Sequence, residues 1–369
     1  MDVSARSEAK SLSEATTATA TTASRRHPSL SDVAAAAGVS HMTVSRVING
    51  TGIVRPATQA RVQAAIEELG YRPNAAARAL ATGRTATLGV VTLDSTLYGP
   101  ASTLYGIERA AREAGFAISV ASVGAHDGGT IAEAIETLKR QAVEGIVVIA
   151  PHVATTKALK YAPNDIPLVA VSGVDAPVPV VATDQFDGAR LATEHLLSLG
   201  HKTVWHVAGP SDWLEAGERE RGWRETLKQH GVRPPRVTRG DWSPRSGYEA
   251  GKSLAKEADL GAVFVANDQM ALGLLRAFAE AGIKVPADVH VVGFDDVPEA
   301  EFFSPPLTTI RQDFAATGRH TFALLAELMN GATEVANQLI APTLIIREST
   351  LPSRKPTPRP RKTTPPRRT

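Results

Sequence analysis

The sequence predicts a small all-helical head followed by a larger α/β core. Helical periodicity with a turn-forming glycine runs through residues 30–83. From residue 86 onward, short apolar runs alternate with helical stretches. Repeated β–α units of this kind form doubly wound parallel sheets. Of the 369 residues, this core comprises about 265, which is large enough for two subdomains.

The first two helices of the head are separated by a tight turn. The first helix is expected to begin at Leu30 or Ser31 behind a serine N-cap. Gly38 then supplies a backbone that can turn at positive φ. Ser40 can cap the second helix, which is predicted over residues 40–49. The apolar residues expected to face the interior are Val33, Ala34, Ala37, Val44, Val47 and Ile48.

The opposite face of the second helix carries side chains that can reach a groove edge or a phosphate. They are His41, Met42, Thr43, Ser45 and Arg46. A third helix, at about residues 56–69, closes the core of the head with Val62, Ile66 and Leu69. Two helices joined by a tight glycine turn match the helix-turn-helix, whose second helix enters the major groove of DNA.

The charge distribution agrees with a DNA-binding head. Residues 25–85 hold eight arginines against three acidic residues, a net +5, as phosphate neutralisation requires. The alternative is a generic three-helix module with a solvated basic face. Residues 352–369 carry seven basic and no acidic residues, and residues 1–24 carry a net −1. With the total of +2 for the chain, this leaves a net −9 on residues 86–351. DNA should therefore attract the head and the tail and repel the core.

The core contains six apolar runs that are typical of buried parallel strands. They are residues 88–92, 145–150, 167–171, 203–209, 262–267 and 289–295. The helices predicted between and after them are residues 107–113, 131–141, 189–199, 219–229, 247–256, 269–281 and 314–329. In such sheets, ligands bind at the carboxyl ends of the strands.

The composition excludes several classes of protein. The chain has no cysteine, so it has neither a disulfide framework nor a thiolate metal site, and no metal or cofactor is predicted. It has no apolar run of 18 residues and no signal peptide, which favours a cytoplasmic protein without a membrane partner. Residues 1–27 and the basic, proline-rich residues 352–369 are expected to be disordered.

The stretch GVSHMTVSRVINGTGIVRPATQARVQAAIEELGYRPNAAARALATGRT strongly resembles the LacI/GalR repressor family. The resemblance covers nearly the whole chain after about residue 28 and is strongest to the lactose-responsive members. It implies a helix-turn-helix domain over 28–72, a hinge helix and linker over 73–85, and an effector-binding and dimerisation core over 86–351. This core would be periplasmic-binding-protein-like, with two doubly wound parallel-sheet subdomains around a sugar cleft.

The resemblance also implies which residues contact operator DNA. The predicted DNA-binding residues are Ser40, His41, Met42, Thr43, Ser45, Arg46, Asn49, Arg78 and Leu80. His41 and Met42 match the variable pair that sets operator preference, so the operator sequence is not transferable. The hinge, RPNAAARAL (72–80), is shorter than the roughly 12–15 residues that an isolated helix needs for marginal stability. We therefore expect it to order only against a partner hinge in the minor groove, with Leu80 as a wedge; the alternative is an alanine-rich linker.

Polar residues follow the predicted strands where a sugar would bind. The motifs GERERGW, GDWSPRSGY, ANDQMALG, VVGFDD and PPLTTIRQDF resemble those of the family's sugar site. By matching positions, the effector-binding residues are Asp94, Arg219, Trp242, Asn267, Asp295 and Phe314. Without the resemblance, Arg219 would be interpreted as part of a solvated helix face, Asn267 and Asp295 as helix caps, and Trp242 as core.

Two departures from the family pattern bear on the ligand. Ser172 stands where lactose-responsive members have an aspartate, and Ile149 stands where they have an asparagine. A galactoside is the first expectation, and another glycoside is a close second.

The sequence therefore predicts a sequence-specific repressor of a carbohydrate-utilisation operon, released from operator double-stranded DNA by a sugar. The alternatives are a sugar receptor or carbohydrate-acting enzyme, and a regulator with a protein co-effector. No catalytic constellation is evident, so we predict no enzyme activity. The tail lacks a leucine heptad, which predicts a homodimer rather than a tetramer.

Overall fold

The structure is a computed structural model that describes residues 28–72, 75–93, 96–123, 130–161, 165–171 and 176–351. Its contacts divide the chain into two compact units between Gly83 and Arg84. The first unit is helical and the second contains both sheets.

The first unit contains four helices: α1 (Leu30–Ala37), α2 (His41–Asn49), α3 (Pro56–Leu69) and α4 (Ala75–Thr82). Ser29 caps α1 in a capping box with Asp32, since each side chain accepts from the other residue's backbone N–H. Gly38 ends α1 at φ 61°, as the turn requires. Ser40 caps α2 through the backbone N–H of Thr43. The bounds of α3 are those predicted.

The core of the head is small and largely as predicted. Val33, Val44 and Val62 are fully buried, and Ile66 and Leu69 pack against them from its edge. Two residues that the pattern did not single out, Ala65 and Tyr71, are also buried there. A side chain just beyond the end of α3 therefore helps to close this core.

The hinge segment forms the helix α4. It has eight residues, and Leu80 on it is 92% exposed. That this helix orders only against a partner stays a prediction. The basis is that so short a segment cannot hold itself helical by backbone hydrogen bonds alone.

The second unit contains two six-stranded sheets. The first sheet has the order β11-β5-β4-β3-β1-β2, with all neighbours parallel. Its strands are β1 (Thr87–Leu93), β2 (Ala117–Val123), β3 (Gly145–Ile149), β4 (Leu168–Val171), β5 (Val180–Thr183) and β11 (Gln338–Ile340). The helices that pack on it are α5 (Tyr98–Glu113), α6 (Ile131–Arg140) and α12 (Phe314–Met329), and α7 (Val153–Ala158) packs on α6.

The second sheet has the order β12-β10-β9-β8-β6-β7, parallel except for the β12 edge. Its strands are β6 (Trp205–Ala208), β7 (Thr238–Arg239), β8 (Ala262–Val265), β9 (His290–Asp295), β10 (Thr308–Arg311) and β12 (Thr343–Ile345). The helices on it are α8 (Gln185–Ser198), α9 (Leu214–Gln229), α10 (Pro244–Leu254) and α11 (Asp268–Glu280). We call the sheets with their helices the first and second subdomains.

The chain passes between the two subdomains three times. It leaves β5 of the first sheet and enters α8, which packs on α9 and on strands of the second sheet. It returns after β10 into α12, which packs on α5 and the first sheet. It crosses again between β11 and β12. Each subdomain is thus assembled from separate stretches of sequence.

Several predicted elements need correction. The six predicted strands are present, each within two residues at either end, but β2, β5, β7, β10, β11 and β12 were missed. Helix α5 begins at Tyr98 rather than Ile107, because proline is tolerated in the first turn of a helix, where its missing N–H has no intrahelical acceptor. Helix α7 was also missed.

The first subdomain depends on one unusually close helix pair. Helices α5 and α12 meet at Gly106 and Gly318, and a Cβ on either glycine would overlap the backbone of the other helix. Since α12 arrives only after the second crossover, this contact fixes the returning chain on the first sheet.

Candidate functional sites

A cavity of about 330 Å³ lies at the carboxyl ends of strands from both sheets. Residues just after or at the ends of β3, β4 and β5 line one part of it. Asp295, which ends β9, and residues just after β7, β8 and β10 line another. This is where a doubly wound sheet places a ligand. Five of the six predicted effector residues line it: Arg219, Trp242, Asn267, Asp295 and Phe314.

Arg219 is the most constrained of these side chains. It projects from α9 and is only 5% exposed, so the interpretation as a solvated helix face is wrong. Its Nε donates to Gln185 Oε1 at 2.8 Å, and its Nη1 donates to the carbonyl oxygen of Ala266. The guanidinium carbon lies 3.8 Å from the ring centre of Phe294, in a cation–π contact. Burial lowers the pKa of Arg219 from its usual value.

Asp295 ends β9 and faces Arg219. Its Oδ1 accepts from Gln312 Nε2 at 2.7 Å and lies 3.6 Å from Arg219 Nη2, too far for a hydrogen bond. Burial raises the pKa of Asp295 to about 6, against the opposing effects of Arg219 and the Gln312 hydrogen bond. The carboxyl and the guanidinium are therefore close enough for one ligand to contact both.

Asn267 has two roles. Its Oδ1 caps α11 by accepting from the backbone N–H of Met270, and its Nδ2 donates to the Trp242 carbonyl oxygen and to Gln269. It also lines the cavity, so capping and ligand contact are compatible. The next residue, Asp268, is fully buried and accepts from Val297 N–H and the Thr309 hydroxyl, which holds the loop after β9 in place.

Aromatic side chains form much of the cavity surface. Trp242 is buried, lines the cavity and belongs to the core of the second subdomain, with its ring edge-on to that of Trp213. Phe314, the first residue of α12, packs edge-on against Tyr98 with 5.7 Å between ring centres. Aromatic faces are suited to the C–H surface of a sugar ring.

The backbone is strained at two cavity residues. Trp242 has φ 74° and Asp295 has φ 112°, conformations that non-glycine residues rarely adopt. Such outliers cost about 1–3 kcal/mol each and persist where the surrounding structure holds them. Both of these residues line the cavity.

Sequence reasoning missed several polar residues of the cavity, among them Gln185, Gln269, Gln312 and Glu215. Gln312 lies within one of the motifs quoted above, so it could have been identified from the sequence. Gln185 follows a strand that was itself missed. Ile149, one of the two departures, lines the cavity and is buried. Asp94 and Ser172 lie outside the described residues.

The predicted DNA-contacting side chains of α2 are all outside the core of the head. His41, Met42, Arg46 and Asn49 are exposed, and Thr43 and Ser45 are partly exposed. Two hydrogen bonds order this surface, one between the hydroxyls of Ser40 and Thr43 at 2.9 Å and one from Asn49 Nδ2 to Ser45 Oγ at 3.1 Å. On α4, the Leu80 side chain is exposed. Arg78 lies on the same helix, but its side chain is not among those that the structure describes.

In the part of the chain that the structure describes, no helix is long and apolar enough to cross a membrane. No three or more histidine, aspartate or glutamate side chains within that part come together where they could hold a metal ion.

Comparison with known proteins identifies relatives of both units. Residues 29–74 match the model for bacterial regulatory proteins of the lacI family, and residues 193–350 match that for the periplasmic binding protein-like domain. The lactose operon repressor of Escherichia coli (strain K12) is 36% identical over 335 residues, 90% of this chain and 93% of that protein. The regulator CelR of Thermobifida fusca is 37% identical over 88% of this chain and 99% of that protein. A PurR repressor of Haemophilus influenzae is 32% identical over 87% and 98%.

Solved structures of two of these relatives share the fold. A lac repressor dimer bound to operator and the anti-inducer ONPF gives a TM-score of 0.78 at 35% identity, covering 88% of this chain and 99% of that one. A CelR–cellobiose complex gives 0.65 at 34% identity, covering 87% and 99%. These findings confirm the predicted resemblance and fold class. The relatives are regulators of transcription, in agreement with the prediction that the chain is not an enzyme.

We predict that the carboxyl of Asp295 titrates near pH 6. Because this pKa lies above the roughly 3.9 of an unfolded aspartate, Asp295 stabilises the fold fully below about pH 3.9 and loses that contribution as the pH rises through 6. Arg219→Met should raise the pKa further, since Arg219 opposes the effect of burial. Carbon-13 NMR of the aspartate carboxyls measures both values.

Arg221→Met is the matched control for that titration, because Arg221 is on the same helix but pairs with Glu218 on the surface. It should leave the titration of Asp295 unchanged. Asp241, whose pKa is lowered by hydrogen bonds from Ser243 and Ser246, is the internal reference. A midpoint for Asp295 below 4 would contradict the prediction.

Proposed function

The chain belongs to the LacI family of bacterial transcriptional regulators, and from this premise we propose that it is a sequence-specific repressor of a carbohydrate-utilisation operon. A sugar inducer binds the core and releases the head from operator DNA.

One observation carries the effector half of this proposal: Arg219 and Asp295 face each other across 3.6 Å without a direct hydrogen bond, inside a cavity with aromatic walls. A guanidinium donates and a carboxylate accepts, so neighbouring hydroxyls of one sugar can bind both at once. Trp242 and Phe314 offer apolar surface to the ring. Few other ligand classes combine adjacent hydroxyls with an apolar face.

A galactoside is the favoured inducer, and another glycoside is the alternative. The lac repressor has been solved with ONPG, and CelR with cellobiose, both at 34–35% identity to this chain. Ile149 supplies an apolar surface where lactose-responsive members have an amide, which favours a ligand with fewer hydroxyls on that side. A protein co-effector is the third option, and a cavity of about 330 Å³ with converging polar groups and aromatic walls argues against it, because it suits a small molecule.

The DNA half rests on the exposed face of α2. In a homodimer, two heads would contact a pseudo-palindromic operator in the major groove, and paired α4 helices would insert Leu80 into the minor groove. The sugar acts only through its different affinities for the DNA-competent and released states, a coupling of about 1–3 kcal/mol in typical systems.

The sugar prediction is tested by thermal unfolding of the full chain with methyl β-D-galactopyranoside, lactose and cellobiose. At least one should raise the unfolding temperature, because a ligand that binds only the folded state stabilises it. Arg219→Ala should abolish this shift and induction while operator binding stays intact, because Arg219 belongs to the cavity and not to the head.

Arg221→Ala should respond to the sugar as the wild type does, since its side chain pairs with Glu218 and Glu225 on the surface. A normal response of Arg219→Ala would show that the cavity is assigned wrongly. No response of the wild type to any sugar of the panel would contradict the sugar effector.

The hinge prediction is tested with Leu80→Ala. Leu80 is 92% exposed, so its loss should leave folding unchanged. It should weaken operator binding much more than non-specific DNA binding, since only the bent operator complex uses the wedge. Gel-shift titrations at fixed salt on operator and scrambled duplexes measure the two affinities. Equal losses on both duplexes would contradict the wedge.

The oligomeric prediction is a dimer. Sedimentation velocity of the DNA-free chain at micromolar concentration should give one species of twice the monomer mass. A stable tetramer or a monomer under these conditions would contradict it.

A further inference from the structure

Four polar side chains at the cavity form one directional chain of hydrogen bonds. Arg219 Nε donates to Gln185 Oε1 at 2.8 Å, and Gln185 Nε2 donates to Gln312 Oε1 at 2.9 Å. Gln312 Nε2 then donates to Asp295 Oδ1 at 2.7 Å. The same Oδ1 lies 3.6 Å from Arg219 Nη2, so the chain almost closes into a ring.

The direction of this chain is fixed by its two ends. A guanidinium can only donate, and an ionised carboxylate can only accept. If either glutamine amide were flipped, its NH₂ group would face a donor on one side and its oxygen would face an acceptor on the other, so both of its hydrogen bonds would be lost. Each glutamine therefore has one orientation that satisfies its neighbours, and a change at Arg219 or Asp295 changes what Gln185 and Gln312 must do.

The two glutamines lie where the chain passes between the subdomains. Gln185 is the first residue of α8, directly after the crossover from β5. Gln312 is buried and lies between β10 and α12, at the second crossover. Their amide–amide hydrogen bond thus ties one crossover to the other. Arg219 and Asp295, at the ends of the chain, are the residues that the proposed function assigns to the sugar.

We propose that Gln185 and Gln312 are positioning residues that transmit effector binding to the crossovers between the subdomains. This inference rests on the proposed function. A sugar hydroxyl that donates to Asp295 Oδ1 shares that oxygen with Gln312, and one that accepts from Arg219 Nη2 draws on the guanidinium whose Nε donates to Gln185. Either contact moves the hydrogen-bonded amides of Gln185 and Gln312. The two crossover segments that carry these amides then shift relative to each other, and these segments connect the subdomains.

A purely structural role predicts a different phenotype. If the glutamines only satisfied buried polar groups, their loss would lower stability and sugar affinity together. Saturating sugar would then still change operator affinity by the wild-type factor. A transmitting role separates the two, because sugar still binds Arg219 and Asp295 while its effect on DNA binding disappears.

Three variants of the full chain distinguish these roles. Gln185→Leu keeps a similar volume and removes both hydrogen bonds. Gln185→Glu keeps the acceptor for Arg219 but cannot donate to Gln312. Gln269→Leu is the contrast, since Gln269 lines the same cavity and bonds Asn267, but lies on α11 within the second subdomain. Calorimetric titration with whichever of lactose, cellobiose and methyl β-D-galactopyranoside binds the wild type gives sugar affinity.

Coupling is measured as the ratio of operator affinities without and with saturating sugar, on a duplex selected with the wild-type protein. We expect a ratio of about 5–150-fold for the wild type. Both Gln185 variants should fall below about fivefold while binding the sugar within about tenfold of the wild type. Gln269→Leu should bind the sugar more weakly but keep the wild-type ratio at saturation.

Hydrogen exchange of the DNA-free protein provides a second readout. Sugar should change the exchange of residues 183–187 and 311–315 in the wild type and in Gln269→Leu, but not in Gln185→Leu. A wild-type ratio or wild-type exchange response in Gln185→Leu overturns the inference and leaves the proposed function standing. A wild-type protein that binds none of the three sugars overturns both.

Discussion

The cavity depends on the burial of a single guanidinium. Arg219 has left water almost completely, and an unpaired buried charge costs several kcal/mol. Its partners come from separate places in the chain: a carbonyl just after β8 and a glutamine at the first crossover accept hydrogen bonds from it, and a carboxyl at the end of β9 lies opposite it at 3.6 Å. Satisfying one side chain therefore fixes three loops relative to α9. Protein groups alone hold the guanidinium in place, and such preorganisation lowers the entropic cost of binding a ligand.

The six strands that the sequence located are largely buried apolar runs. Strands β1, β3 and β9 are nearly continuous apolar runs, and the sequence located them. Strand β2 alternates exposed and partly buried residues at a sheet edge, and β7 has only two residues, so neither leaves a clear apolar run. Strand β10 is buried but begins with two threonines, whose hydroxyls conceal it in a hydropathy pattern. The helices of the head were predicted closely because their glycine and serine boundaries act locally.

The site was predictable to the extent that it follows strand ends and known motifs. Asn267 and Asp295 come directly after apolar runs, so topology alone places them at the ligand edge of a sheet. Arg219 lies in an alternating charged run that is typical of a solvated helix, and only the family resemblance indicated its burial. Gln185 was beyond prediction because its importance arises from a crossover, which brings together residues 127 positions apart in the chain. No local pattern records such a contact.

Three passages of the backbone between the subdomains also decide how this protein can be divided. Neither subdomain corresponds to a contiguous stretch of sequence. Helix α8 follows a strand of the first sheet but packs on the second, and α12 follows a strand of the second sheet but packs on the first. A protease that cuts one connecting segment leaves two others in place, so a single nick cannot separate the halves. A division at Gly83 separates the head from both sheets, whereas a division anywhere between β5 and β12 interrupts a subdomain.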